Sequence, residues 1–213
     1  MKSPVKPIRI ILLFALLAAI AVAGGEWQIV SDRDGTALFV RDLQGHSEAQ
    51  FKGVCVVDRS IEDVGAVLSD IASYPKWFFK CIEAKKVPIE NSSEHHFFLY
   101  VAIDTPWPFA DRDVVYETRV RIDHAAGNVV IRSRALKKTI RPSRRRYVRI
   151  TDSEHEWILE RISADRTRII FINRTNVAGP FANYISNPGI RETTVCSLTN
   201  LKKILEHTGD IEK

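Results

Sequence analysis

The feature that most constrains this fold is an alternation of apolar and polar residues that recurs through most of the chain. Nine segments read as strands, at 38–43, 50–58, 82–90, 95–103, 112–123, 127–136, 146–151, 155–163 and 166–177. A period of two residues is typical of β-strands, and the short gaps between most of these segments are typical of hairpin connections. We therefore expect a large antiparallel sheet.

Two helices interrupt and close this series of strands. The first begins at Ser60, whose hydroxyl can cap it, and its apolar stripe runs over 61–71 before Pro75 ends it. The second has apolar residues at helical spacing over 190–205, after an irregular opening around Pro188. This order of elements predicts an α+β fold in which the helices cover one face of the sheet.

The inner face of this sheet is longer than the two helices can cover. Nine strands offer a curved surface, whereas only one medium helix and one long helix are available to pack against it. The space between them is either a filled core or a cavity, and the sequence leaves both alternatives open. An apolar cavity tends to bind an apolar ligand, with a few polar groups that orient it.

The alternation also predicts which side chains face this interior. The apolar ones are Phe98, Tyr100, Val114, Tyr116, Val120, Val129, Ile131, Trp157, Leu159, Ile169, Phe171, Leu198 and Leu201. The polar ones are Thr118, Ser133, Asn173 and Thr175. A buried polar group without a partner costs about 1–3 kcal/mol, so each of these must bond to protein, water or a ligand.

From this inner face we predict a ligand-binding surface. Its residues are Phe98, Tyr100, Arg112, Val114, Tyr116, Thr118, Ser133, Trp157, Phe171, Asn173 and Leu198. Our hypothesis is that Asn173 and Arg112 orient the polar head of the ligand. The alternative for Arg112 is a structural ion pair with Asp111, Asp113 or another acid.

Three parts of the chain resemble START (steroidogenic acute regulatory protein-related lipid transfer) domains. Segment 70–77 (DIASYPKW) is similar to their helix–Tyr-x-x-Trp stretch, 106–115 (PWPFADRDVV) to their Pro-Trp-Pro … Arg-Asp-x-Val stretch, and 147–150 with 157–159 to their paired late strands. The resemblance covers about 27–206. It implies a helix-grip fold, in which a curved antiparallel sheet wraps a long C-terminal helix and encloses a tunnel for one lipid. It also implies a gate formed by the loop 104–111 and that helix.

The motifs of common enzyme classes are absent from the sequence. It contains no G-x-S-x-G, P-loop, G-x-G-x-x-G or H-E-x-x-H pattern, and no inward pair of acid and base is evident. We therefore predict a protein without catalytic residues, cofactor or metal, which binds a lipid or similar hydrophobic molecule and transfers it between membranes or partners. The alternative is an enzyme like the polyketide cyclases and aromatases of the wider superfamily, and a third class is an interaction module with a filled core.

Two surface features point to a membrane. Trp107 and Phe109 lie in a proline-constrained loop, where aromatic rings either cap the core or insert at a bilayer interface. The segment 137–149 carries seven basic residues and no acid, so it is either a solvated hairpin loop or a site of attraction to anionic lipid. The net charge of +5 resides in this segment and the N-terminal leader, which argues against a nucleic-acid-binding face.

The first 23 residues have the layout of an export signal. Three basic residues precede an unbroken apolar run of 14 residues over 10–23, which ends in the A-x-A pattern of a cleavage site and is short for a bilayer span. We expect a signal peptide at 1–23, one START-like domain at 24–213, and a periplasmic or extracellular protein. The alternative is an uncleaved membrane anchor. Cys55 and Cys81 could form a disulfide, or all three cysteines could be buried thiols.

Overall fold

The computed structural model describes residues 25–33, 35–138, 140–143, 146–179 and 182–208. The predicted leader at 1–23 lies outside the described residues. The strands are β1 (Gln28–Arg33), β2 (Thr36–Arg41), β3 (Gln50–Val57), β4 (Cys81–Val87), β5 (His96–Ile103), β6 (Arg112–Asp123), β7 (Asn128–Ala135), β8 (Val148–Ile150), β9 (Asp152–Ser163) and β10 (Arg166–Asn176). The helices are α1 (Ile61–Ser69), α2 (Tyr74–Trp77) and α3 (Ala182–Thr208), with a 3-10 turn at Ile71–Ser73.

These strands form one sheet in the order β1-β2-β3-β10-β9-β7-β6-β5-β4. Every pair along this path is antiparallel, and the short β8 pairs in parallel with the start of β6. Sequential strands mostly lie side by side, as hairpin connections require. The predicted α+β helix-grip fold is confirmed.

The C-terminal helix packs on one half of the sheet. It contacts β2, β3 and β10, and its residues Leu198, Leu201 and Leu205 are fully buried there. Gly53 of β3 allows this close approach, because a Cβ at that position would lie 2.3 Å from Cδ1 of Leu198. The half of the inner face formed by β5, β6 and β7 lies beyond the strands that α3 covers.

Helix α1 begins where the sequence predicts. The Ser60 hydroxyl accepts a hydrogen bond from the backbone N–H of Asp63, and Ile61, Val64 and Leu68 form its buried face. Among the described residues, no helix is both long and apolar enough to cross a bilayer.

Several elements differ from the prediction. Helix α1 ends at Ser69, and Pro75 lies in the first turn of α2 instead of ending α1. Strand β1 was missed because it is an edge strand with mostly exposed residues, so it has no buried face to generate alternation. Strand β9 begins at Asp152 instead of 155. Helix α3 begins at Ala182, so Pro188 lies inside it, and contacts from other elements hold this first part in place: Oδ1 of Asn187 accepts a hydrogen bond from the Ala49 N–H at 2.9 Å.

Candidate ligand cavity

A large cavity, here called the main cavity, lies between the inner face of the sheet and helix α1. Its volume is about 760 Å³, within the range of pockets that hold one small molecule. Strands β5, β6, β7 and β9 supply its apolar wall through side chains such as Leu99, Val101, Val129, Ile131 and Trp157. It occupies the part of the inner face that α3 leaves uncovered.

A second space, here called the gate cavity, lies next to the loop 104–111. Its volume is about 270 Å³, and it is bounded by that loop, the end of β10 and the first turns of α3. Four side chains line both cavities: Phe78, Ile103, Tyr116 and His155. These four residues therefore mark the junction between the two spaces.

The junction carries a hydrogen-bonded group, here called the junction cluster, formed by Tyr116, Ser153, His155 and Thr175. The Ser153 hydroxyl lies 2.9 Å from the Tyr116 hydroxyl and 2.7 Å from the Thr175 hydroxyl. The Tyr116 hydroxyl lies 3.2 Å from Nε2 of His155. Strands β6, β9 and β10 bring these polar groups together on an otherwise apolar face.

The junction cluster is uncharged at neutral pH. Burial disfavours the charged imidazolium and lowers the pKa of His155 from 6.5 to about 4. Burial likewise raises the pKa of Tyr116 well above its ordinary value. The ring of His155 also packs against Tyr116 and Phe171, with centroid distances of 4.8 and 5.6 Å.

Solved structures of START domains share this architecture. The crystal structure of a STAR-related lipid transfer protein (fragment 25–204) from Xanthomonas axonopodis matches with a TM-score of 0.76, at 23% identity, over 84% of this chain and 98% of that one. Human STARD10 matches with a TM-score of 0.76, at 17% identity, over 87% of this chain and 75% of that one. Human StAR-related lipid transfer protein 5 matches with a TM-score of 0.73, at 14% identity, over 86% and 88%.

This chain has the START-domain fold. The resemblance read from the sequence is thereby confirmed at the level of the fold. No family model matches the chain. Over 204 residues it is 26% identical to an uncharacterised protein of Pseudomonas aeruginosa, and the match covers 93% of this chain and 98% of that protein.

Within the START fold, several predicted site residues lie on the cavity walls. Tyr116, Thr118, Ser133 and Trp157 line the main cavity, and the hydroxyls of Thr118 and Ser133 are 3.0 Å apart. The gate cavity is lined by Tyr116, Arg112 and Asn173, and by Phe109 of the loop. Contact between a ligand and these residues stays a prediction.

Two predicted wall residues face the other way. In the register of β5 and β6, Leu99 pairs with Tyr116 and Val101 with Val114, so Phe98 and Tyr100 lie on the outer face of the sheet. The prediction failed because both faces of β5 are apolar, which makes a period of two ambiguous. The outer face is apolar there because Tyr100 is buried with Ala102 and Val115 in a separate cluster.

Three further predicted residues are buried in the core and do not line either cavity. Val114, Phe171 and Leu198 have essentially no exposed surface. Phe171 stacks on Trp157 of the neighbouring strand, with ring centroids 3.9 Å apart, and so supports a wall residue from the side. Alternation placed these three residues on the inner side correctly. It does not show which of the inner residues lie next to the open space.

Arg112 binds backbone instead of an acid. It is 4% exposed, and its guanidinium donates to the carbonyls of Ala110, Val177 and Ala178. The ion pair considered from the sequence is therefore not formed among the described residues. Arg112 instead ties the loop 104–111 to the segment that leads into α3.

Asn173 also has a structural partner in α3. Its Nδ2 donates to the Thr194 hydroxyl at 2.8 Å, and that hydroxyl donates to the Ile190 carbonyl at 2.8 Å. The side chain thus fixes α3 to β10 at the edge of the gate cavity.

The buried acid–arginine pair of this molecule lies on the outer face of the sheet. Asp113, with a fully buried side chain, pairs with Arg149 through two contacts of 2.7 and 3.1 Å, and also accepts from Ser143 at 2.9 Å. Arg141 lies over the ring of Tyr100 at 4.3 Å. Arg141 and Arg149 are therefore anchored to the sheet, whereas most other described residues of the segment 137–149 are exposed, so both alternatives considered from the sequence stay open.

The sequence reading missed His155 and Ser153. His155 lies within the predicted strand 155–163 and alternates with Trp157 and Leu159, but it was not selected as an interior residue; Ser153 was missed because the predicted strand began two residues too late to include it. The three cysteines, Cys55, Cys81 and Cys196, are free thiols.

One group of metal-binding residue types lies away from the cavities. His46, Glu48 and Asp152 bring ligand atoms within 4.8 Å of one another. Asp152 already pairs with the guanidinium of Arg174 at 2.6 Å, so this group is neutralised by a side chain of the protein.

Proposed function

We propose that this protein binds one lipid or similar hydrophobic molecule in the main and gate cavities. The observation that carries the proposal is the main cavity of about 760 Å³ with its largely apolar wall. Transfer of apolar surface from water to such a wall is favourable by about 25 cal/mol per Å². The START fold supports the same function, since proteins named for lipid transfer share it.

The test is native mass spectrometry of the protein purified without detergent, followed by solvent extraction of the bound molecule. A discrete added mass at one equivalent, and a hydrophobic molecule of that mass in the extract, is the expected result. A bare polypeptide mass, together with failure to take up any added hydrophobic probe, would contradict the proposal.

Exchange of the ligand requires a gate, and we propose that the loop 104–111 and the start of α3 form it. Phe109 lines the gate cavity, whereas Trp107 is 92% exposed at the tip of the loop. An exposed indole is favoured at a bilayer interface, and basic residues of 137–149 attract anionic lipid.

A Trp107→Ala variant should therefore bind vesicles more weakly than the native protein. Binding to phosphatidylcholine vesicles with and without phosphatidylserine, measured by co-sedimentation across a salt series, separates the two contributions. Weaker binding of Trp107→Ala at every salt concentration would show that the indole contributes to vesicle binding. Binding that weakens as the salt concentration rises would show that the basic segment contributes. Binding unaffected by the variant, salt and lipid charge would rule out this membrane contact.

A second candidate function is catalysis of the cyclase or aromatase kind, and the observation that favours it is a neutral imidazole within the cavity. His155 with a pKa of about 4 is unprotonated at neutral pH and could act as a base. Among the described residues, however, its hydrogen-bond partners are hydroxyls and no acid orients it. We therefore propose binding without catalysis; a bound molecule altered in mass after incubation with the native protein but not with His155→Phe would favour the enzyme.

We also propose that the protein is exported after removal of residues 1–23. N-terminal sequencing of the protein recovered from its native host would show a start near Gly24. An intact Met1 or Lys2 would contradict cleavage.

A further inference from the structure

The junction cluster uses one of the two ring nitrogens of His155. Nε2 of His155 lies 3.2 Å from the Tyr116 hydroxyl and 3.5 Å from the Ser153 hydroxyl. Within the described part of the chain, the other ring nitrogen, Nδ1, has no hydrogen-bond partner. We assign the Tyr116 hydroxyl as the donor to Nε2; the neutral imidazole then carries its proton on Nδ1, which becomes a donor.

The surroundings of this donor hold little charge. Among the described residues that line either cavity, Arg112 is the only charged residue that is buried. The other charged residues of the two linings, such as Lys86 and Asp123, are exposed on the surface. Arg112 itself donates to three backbone carbonyls. An ionised group at the junction would therefore be buried among hydroxyls and aromatic rings without a dedicated counter-ion.

We infer that the ligand is an uncharged, largely apolar molecule with a hydroxyl or carbonyl oxygen, which lies at the junction and accepts a hydrogen bond from His155. This inference rests on the proposed function of the cavities. A carboxylate, phosphate or ammonium group is excluded by the cost of removing a charge from water without pairing it. A pure hydrocarbon is disfavoured, because it would leave the imidazole N–H unpaired in a closed site.

Four probes with the same twelve-carbon chain test this class: 1-dodecanol, dodecanoate, dodecylammonium and dodecane. Each competes at pH 7.5 with Nile red, an uncharged dye whose fluorescence reports transfer into an apolar site. We expect dodecanol to displace half of the dye at a concentration at least about tenfold below that of either ion. Its advantage over dodecane should be about fivefold, the value of one hydrogen bond.

Two variants connect the result to the junction. His155→Phe keeps a ring of similar shape and should remove the advantage of dodecanol over dodecane. The matched control is His207→Phe, since His207 is an exposed residue of α3 that lines neither cavity and should leave the advantage intact. If His155→Phe does not fold, Tyr116→Phe, which removes the partner of Nε2, should reduce the same advantage.

The outcomes separate the two proposals. Equal or tighter binding of dodecanoate or dodecylammonium would overturn the ligand class while leaving the cavity as a binding site. An unchanged dodecanol advantage in folded His155→Phe would overturn the role of that residue. If neither Nile red nor any probe binds, the proposed function fails and this inference fails with it.

Discussion

His155 makes the stability of the protein depend on pH. Its pKa lies at about 4 in the folded protein, because burial disfavours the imidazolium, and near 6.5 when the chain unfolds. Between these values the unfolded chain binds the proton and the folded protein does not, so stability falls as the pH falls through this window. Below pH 4 both states are protonated and this contribution is constant.

The prediction is a loss of about 2 kcal/mol in the free energy of unfolding between pH 7 and pH 5 that is specific to His155. Urea unfolding of the native protein and of His155→Phe at the two pH values measures it, since the remaining titrating groups are common to both. An equal loss of unfolding free energy in the two proteins would show that burial does not lower the pKa of His155.

At the scale of elements, the important connection is the one that Arg112 makes between the loop 104–111 and the entry to α3. Its guanidinium lies 3.2 Å from the Val177 carbonyl and 3.3 Å from the Ala178 carbonyl, and it also binds the Ala110 carbonyl within the loop. The two proposed parts of the gate are therefore joined by one side chain.

Arg112→Leu should loosen the gate and speed up ligand release. Loss of one effective hydrogen bond is worth about 1 kcal/mol, so the release rate of Nile red in stopped flow should rise about fivefold. Arg134→Leu, at an exposed arginine of β7, is the control. If Arg112→Leu folds and releases the dye at the native rate, Arg112 does not hold the gate. If its affinity for the dye is also unchanged, Arg112 does not orient a ligand.

Alternation along the strands predicted some interior residues correctly and failed at others. In β6 and β9 the residues that flank Thr118 and Trp157 are less buried than these two, and their sequences alternate, so alternation identified Tyr116, Thr118 and Trp157 as interior residues. It failed at β5, where Tyr100 and its neighbours are buried on the outer face as well. The start of α3 was also hidden, because a proline such as Pro188 is unfavourable in a helix, and the hydrogen bond between Ala49 and Asn187 joins residues far apart in the sequence.

At the scale of the whole molecule, the cavity arises from an offset between the helix and the sheet. Helix α3 covers β2, β3 and β10, whereas α1 spans the remaining inner face from a distance. The position of a helix relative to a ten-stranded sheet depends on close approaches such as that at Gly53. These are set by packing between distant residues, so the sequence left open whether the interior was filled.

Strand β7 offers a direct comparison of a filled and an open interior. Val129 lines the main cavity, whereas its neighbour Val130 lies on the opposite face of the same strand. Val129→Trp adds bulk to the cavity and Val130→Trp adds the same bulk outside it. In a packed core the larger side chain would cost about 1–3 kcal/mol, whereas an open cavity accommodates it.

The most direct test of the account is the amount of hydrophobic ligand bound per chain, measured by native mass spectrometry for these two variants alongside the native protein. We expect Val129→Trp to fold with little loss of stability and to carry much less ligand, while Val130→Trp carries as much as the native protein. Equal occupancy in all three proteins would contradict a ligand in the main cavity.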